Sequence, residues 1–172
     1  ERPRFRVGSP AAEVHRHLGG VIQGKGDLDG ALAAYREAIR LDPRNQAAYI
    51  NMGALLCDRL GRYDEAIAAF REAIRIKPDD PQGYLNLGIA LGKKGDVDEA
   101  VAAFRECLRF APDANVHYSL GGALAQKGDR AGAIASYRDE ARWRMPASGV
   151  RAIRRSTSRY ARRLTSTRLA AT

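Results

Sequence analysis

The chain repeats itself. Four segments, LGGVIQGKGDLDGALAAYREAIRLDP, MGALLCDRLGRYDEAIAAFREAIRIKP, LGIALGKKGDVDEAVAAFRECLRFAP and LGGALAQKGDRAGAIASYRDEARWRMP, align on one template. Read down its columns, the template gives Gly19, Gly53, Gly88 and Gly121, then Ala31, Ala66, Ala100 and Ala133, then Tyr35, Phe70, Phe104 and Tyr137. Pro43, Pro78, Pro112 and Pro146 close the units, and successive copies are 33 to 35 residues apart. A period of this length denotes one supersecondary unit per repeat, stacked so that each unit buries its apolar face on its neighbours.

Within each unit the apolar residues recur three and four apart on both halves, which predicts two amphipathic helices joined as a hairpin. In three repeats the turn between them reads Gly-Asp: Gly26, Gly95 and Gly128 suit a left-handed C-terminal cap, and Asp27, Asp96 and Asp129 suit the next N-cap. The second hairpin has Gly61 followed by Arg62 and carries one extra residue in its turn. The proline closes the second helix, since the residue before it is pushed out of the α region. The predicted helices span 12–24, 28–42, 46–60, 63–77, 81–94, 97–110, 114–127 and 130–144. Small residues in the Gly and Ala columns are expected to let helices approach, and the aromatic column to fill space between neighbouring units.

These columns resemble the tetratricopeptide repeat of the bacterial type, with G-D-x-x-x-A-[ILV]-[AG]-x-[FY]-R-[ED] in each unit save for Arg62 in place of the Asp in the second, over residues 12–146. The resemblance implies an all-α fold, a right-handed α-solenoid of four antiparallel helical hairpins with limits 12–45, 46–80, 81–113 and 114–146. Residues 1–11 read as a lead-in or linker and 147–172 as a basic tail. His15, Tyr49, Tyr84 and His117 occupy the first-helix aromatic column, so both ends depart from the pattern. Glu140 departs again, standing where a small residue is usual.

The resemblance further implies a protein–protein interaction scaffold that takes a peptide or protein segment on the concave wall formed by the first helices. The column two residues before each Gly reads His17, Asn51, Asn86 and Ser119, a ladder whose amides can bond the backbone of an extended peptide without demanding its sequence. Arg16 and Tyr118 lie three before the Gly, and Gln82, Gln23 and Lys93 are neighbouring candidates. A clamp for a C-terminal carboxylate would need further cations and asparagines, yet Gly20, Gln82 and Asn86 stand at those columns, and without cations the charge-assisted bonds are lost. Such repeats also serve as interaction domains of larger proteins that carry a kinase, glycosyltransferase or protease.

No catalytic role, cofactor, metal or small-molecule substrate is expected. The three histidines, His15, His17 and His117, sit in the repeat lattice without a partner set at nucleophile or metal spacing. GGVIQGKG lacks the lysine-hydroxyl ending of a phosphate loop. Cys57 and Cys107 fall inside helical patterns, which suits reduced thiols in a cytoplasmic setting. No apolar run approaches the roughly 18 residues of a membrane span, and the chain opens at Glu1, as a processed chain or a piece of a longer one would.

Charge is concentrated at one end. The net charge is +9, and residues 147–172 hold seven arginines and no acid, which leaves the remainder at +2. Val150, Ile153, Thr157, Tyr160 and Leu164 recur three and four apart, so the tail reads either as a helix capping the solenoid or as a solvated basic segment. The second reading would bind a polyanion, nucleic acid or an anionic membrane. Glu37 with Arg40, Glu72 with Arg75, Glu106 with Arg109 and Asp139 with Arg142 mark a solvated outer face. Self-association through uncapped solenoid ends is a further expectation.

Overall fold

The computed structural model describes residues 9–144. The first eight residues, Pro146 and the basic tail lie outside that range, and with them the capping-helix and polyanion readings. The described residues form eight helices and no strands: α1 (Pro10–Gly24), α2 (Leu28–Leu41), α3 (Gln46–Asp58), α4 (Tyr63–Ile76), α5 (Pro81–Lys94), α6 (Val97–Phe110), α7 (Ala114–Lys127) and α8 (Arg130–Arg144). They pair as α1 with α2, α3 with α4, α5 with α6 and α7 with α8, and each second helix packs on the first helix of the following pair. This is the α-solenoid of tandem hairpins that the period implies.

Local chemistry sets the helix limits. Asp42 and Lys77 take extended ψ values of 92° and 89°, as residues preceding proline must, so α2 and α4 stop one residue short of the expected 42 and 77. The first helix begins at Pro10, inside the expected lead-in, because proline suits the first helical position, where no backbone donor is needed. Gly26, Gly95 and Gly128 adopt φ of 88°, 100° and 87°, and Gly61 one of 64°. Behind them the third and fourth hairpins close identically. The Asp96 and Asp129 amides donate to the Leu91 and Leu124 carbonyls, each at 2.9 Å, the six-to-one bond of a helix ending on a left-handed residue. The extra residue of the second hairpin lengthens this link, so that Arg62 donates to Leu56 at 2.9 Å.

N-caps form at Asp27, which accepts from Gly30 N at 2.8 Å, and at Asp129, which accepts from Gly132 N at 2.9 Å. Asp96 departs from the expectation. It stands at the N-cap position without a capping bond, and its carboxylate meets the Lys94 ammonium at 2.9 Å instead. Lys94 also reaches Asp64 of the preceding hairpin at 2.9 Å. One ammonium bridging two carboxylates thus stands where the capping bond was expected.

The core runs along the stack as a line of repeated contacts. Ala31, Ala66 and Ala100 are fully buried, and Tyr35, Phe70 and Phe104 nearly so. The aromatic column also has a neighbour that was not anticipated, inside its own hairpin. A Cβ added at Gly19, Gly53 or Gly88 would lie 2.6 Å from Cε1 of Tyr35, Phe70 or Phe104, and one at Gly121 would lie 2.7 Å from Cε1 of Tyr137. Each ring therefore lies flush on the glycine of its own hairpin. The Gly and aromatic columns are one device: the missing side chain makes the slot that the ring fills, which explains why they recur together.

Candidate functional site

The first helices form a continuous row, α1 touching α3, α3 touching α5 and α5 touching α7, while the second helices lie outside that row. Helix geometry decides which side chains the row presents. Successive residues turn by about 100°, so a residue two before the ring-contacting glycine points roughly 200° away from it, to the face opposite the hairpin's own second helix. His17, Asn51, Asn86 and Ser119 occupy that position on α1, α3, α5 and α7.

The four rungs are not equivalent. His17 is exposed, and its Nε2 lies 2.8 Å from Arg16 Nη2; since guanidinium only donates, that nitrogen accepts. Ser119 turns its hydroxyl back onto the Asn115 carbonyl at 2.9 Å. Asn51 and Asn86 are half-buried, and among the described residues no protein hydrogen bond engages either side-chain amide. The central two rungs thus keep two donors and an acceptor each for a ligand.

The flanking candidates sort by partner. Arg16 is committed to Glu13, donating from Nε at 3.0 Å and Nη2 at 2.7 Å, and Glu13 also accepts from Asn45 Nδ2 at 2.8 Å. The Arg16 bond, chiefly, holds the Glu13 carboxyl below the usual glutamate range. Lys93 reaches the preceding hairpin and donates to Asp58 at 2.7 Å, a bond that raises its ammonium pKa. Gln82 is exposed on the first turn of α5. Tyr118 is exposed, its ring 5.7 Å from that of Tyr137 and tilted 55° to it. Gln23 accepts from the Tyr35 hydroxyl at 3.0 Å, which ties it to the hairpin's interior. Arg16 and Lys93 therefore arrive neutralised, and the row offers amides rather than net positive charge.

Three half-buried residues absent from the sequence-based candidates lie on the same helices as the two asparagines. Ile50 and Leu85 are half-buried beside the two asparagines, in the very column that holds Arg16 and Tyr118, and Ile89 is half-buried one turn beyond Leu85. Leu85 and Ile89 also pack on the core. Column arithmetic could have found them, but in a sequence aliphatic residues on a helix read as core. The result is an amide next to an aliphatic on each central helix.

Burial, first among the causes, pushes the thiols of Cys57 and Cys107 above the ordinary range, the opposite of what a nucleophilic cysteine needs. Among the described residues no three His, Cys, Asp or Glu side chains gather as a metal set, and no helix is long and apolar enough to cross a membrane. The expected outer pairs are present: Arg40–Glu37 at 2.6 Å, Arg75–Glu72 at 2.8 Å, Arg109–Glu106 at 2.6 Å and Arg142–Asp139 at 3.9 Å.

The sequence matches the family descriptions "TPR repeat" over residues 24–57 and 59–95 and "Tetratricopeptide repeat" over residues 85–146, and the chain belongs to the tetratricopeptide-repeat family. Among solved structures it is similar to a crystal structure of MamA, with a TM-score of 0.72 and 23% identity over 76% of this chain and 77% of that one. A MamA RS-1 double mutant gives a TM-score of 0.71 and 20% identity over 77% and 74% of the two chains. MamA AMB-1 gives 0.69 and 20% over 83% and 81%. At these identities the likeness is one of fold. No curated protein matches the sequence. Family membership supports a scaffold for protein–protein interaction.

Proposed function

We propose that the chain is a protein-interaction module whose row of first helices takes an extended peptide segment. The observation that carries this reading is the pair of half-buried, unengaged amides Asn51 and Asn86, each beside an aliphatic residue, on adjacent inner helices. An amide bonds peptide backbone regardless of side chain, while Ile50, Leu85 and Ile89 favour an apolar side chain at alternate ligand positions. With Arg16 and Lys93 already paired to Glu13 and Asp58, the wall selects a neutral, partly apolar segment over an acidic one. The module acts by binding, not by turning over a substrate, and further domains of a larger protein would supply any catalysis.

A displayed library of unstructured peptides, selected on the full chain, tests this. Selected sequences should lose affinity by about 5- to 150-fold for the Asn51→Ala, Asn86→Ala double variant, as expected for losing about 1 to 3 kcal/mol of hydrogen bonding. They should bind a chain ending at Pro146 as tightly as the full chain. The alternative reading, polyanion binding through the arginine-rich tail, predicts the reverse pattern: binding indifferent to both asparagines, abolished by the truncation and falling steeply with salt.

A further inference from the structure

The two ends of the solenoid carry complementary faces. On α1, Val14, Leu18 and Val21 are 64%, 44% and 58% exposed, spaced four and three apart and so aligned along one side of the helix. Two of their columns are buried in the repeats that follow, and the third is half-buried at Met52 and Leu87 before it reaches Leu120. The Val14 column continues as Ala48, at 0%, Gly83, which is buried, and Val116, at 2%. The Val21 column continues as Leu55 and Ala90, both 0%, and Ala123, at 7%. The Leu18 column ends in Leu120, at 6%. What buries these positions inside the chain is the second helix of the preceding hairpin: α2 covers α3, α4 covers α5 and α6 covers α7.

At the opposite end α8 shows the other half of that contact. Ile134 is 59% exposed, whereas its column mates Leu32, Ile67 and Val101 are 3%, 4% and 4%. Tyr137 is 36% exposed against 2% to 3% for Tyr35, Phe70 and Phe104. These are the positions that a following first helix covers.

We propose that a second copy of this chain supplies the missing neighbour, the α1 face of one copy seating on the α8 face of the next in the register of the internal repeats. The contact would be a fourth instance of an interface the chain already makes three times, and in a repeat stack each unit needs only its nearest neighbours. Residue sizes at the junction agree. Inside the chain, a Cβ added at Gly83 would lie 2.8 Å from Ile74 Cγ1, so a large residue on the second helix faces an empty position on the first. In the proposed junction the same two columns bring Ala141 opposite Val14, with the large and small residues exchanged. Glu140 stands where Ala38, Ala73 and Cys107 are buried in the other repeats, but it already holds Arg144 at 2.5 Å, so it would enter the junction as one half of an ion pair rather than as a bare charge. Such a contact is heterologous, so it leaves a free face at each end and propagates.

The test is sedimentation equilibrium of the full chain from roughly 1 μM to 1 mM, where weak specific contacts fall, with Leu18→Glu and Ile134→Glu variants. Both positions are exposed, so the variants should keep the far-ultraviolet circular dichroism of the parent. The expected result is a mass that rises past the dimer for the parent, a monomer for each variant alone, and a one-to-one dimer, no larger, when the variants are mixed. That mixture has one intact α1 face and one intact α8 face. A parent that stays monomeric throughout, as it would if its own tail covered α8, overturns the proposal. So does an Ile134→Glu variant that still dimerises, which would mean α1 pairing with α1, or a mixture that stays monomeric while the parent associates.

Discussion

Replacing Gly53 by alanine isolates the contact on which the repeat is built. The new methyl would stand 2.6 Å from Phe70 Cε1, 2.9 Å from Cζ and 3.0 Å from Cδ1, against an ordinary carbon–carbon separation of about 3.5 to 4.0 Å. The ring edge would have to retreat by about 1 Å, and Phe70 is nearly fully buried, so its neighbours must move with it. Overpacking of this kind costs about 1 to 3 kcal/mol, while exchanging glycine for alanine within a helix returns about 1 kcal/mol. The net expectation is a loss of about 0 to 2 kcal/mol. Gly92, also helical, is the control, because the nearest atom to its added Cβ is Ala100 Cβ at 4.0 Å. There the propensity gain stands alone, and Gly92→Ala should stabilise by about 1 kcal/mol. Urea unfolding followed by circular dichroism reads both. Pairing Gly53→Ala with Phe70→Leu should recover part of the loss, a coupling of about 0.5 kcal/mol or more. If Gly53→Ala stabilised the chain as much as Gly92→Ala does, the ring-on-glycine account would be wrong.

Three further outcomes follow from the same structure. Gly95→Ala, at φ 100°, should destabilise by about 1 to 2 kcal/mol in the same urea assay, because an L side chain is strained in the left-handed region. Glu13 has its carboxyl pKa lowered, chiefly by Arg16; a depressed folded-state value contributes stability above the unfolded value near 4.5 that is lost as pH falls through the folded one, so Glu13→Gln should flatten that part of the acid limb in a stability-versus-pH series. Cys57 and Cys107 are buried with raised thiol pKa values, so a thiol-specific chromogenic reagent at mildly alkaline pH should label them slowly in the native chain and at once in urea; immediate native labelling would contradict their burial.

How far the sequence could be read depended on whether a signal was periodic. Eight helices and their turns followed from columns such as Gly26, Gly95 and Gly128, because a left-handed backbone selects glycine wherever it recurs. The amide ladder was visible for the same reason. What a column does not encode is who satisfies whom. Lys93 reads as an open cation until its bond to Asp58, 35 residues away, is seen, and Asp96 reads as an N-cap until Lys94 takes its carboxylate. Ile50, Leu85 and Ile89, assigned to the proposed wall, were hidden differently, since an aliphatic residue on a binding face has the same sequence signature as one serving the core. The partnership of Gly53 with Phe70 needed the direction of a ring, which residue spacing does not supply.

The most direct test of the peptide-binding wall is a nuclear magnetic resonance titration of the isotopically labelled chain with a peptide from the library selection. The account predicts that the side-chain amide signals of Asn51 and Asn86 and the methyl signals of Ile50, Leu85 and Ile89 shift together and saturate with one affinity, while signals from the outer residues Glu37, Glu72 and Glu106 stay in place. Saturable shifts confined to the outer helices or to residues 147–172, with both asparagine amides unmoved, would contradict it.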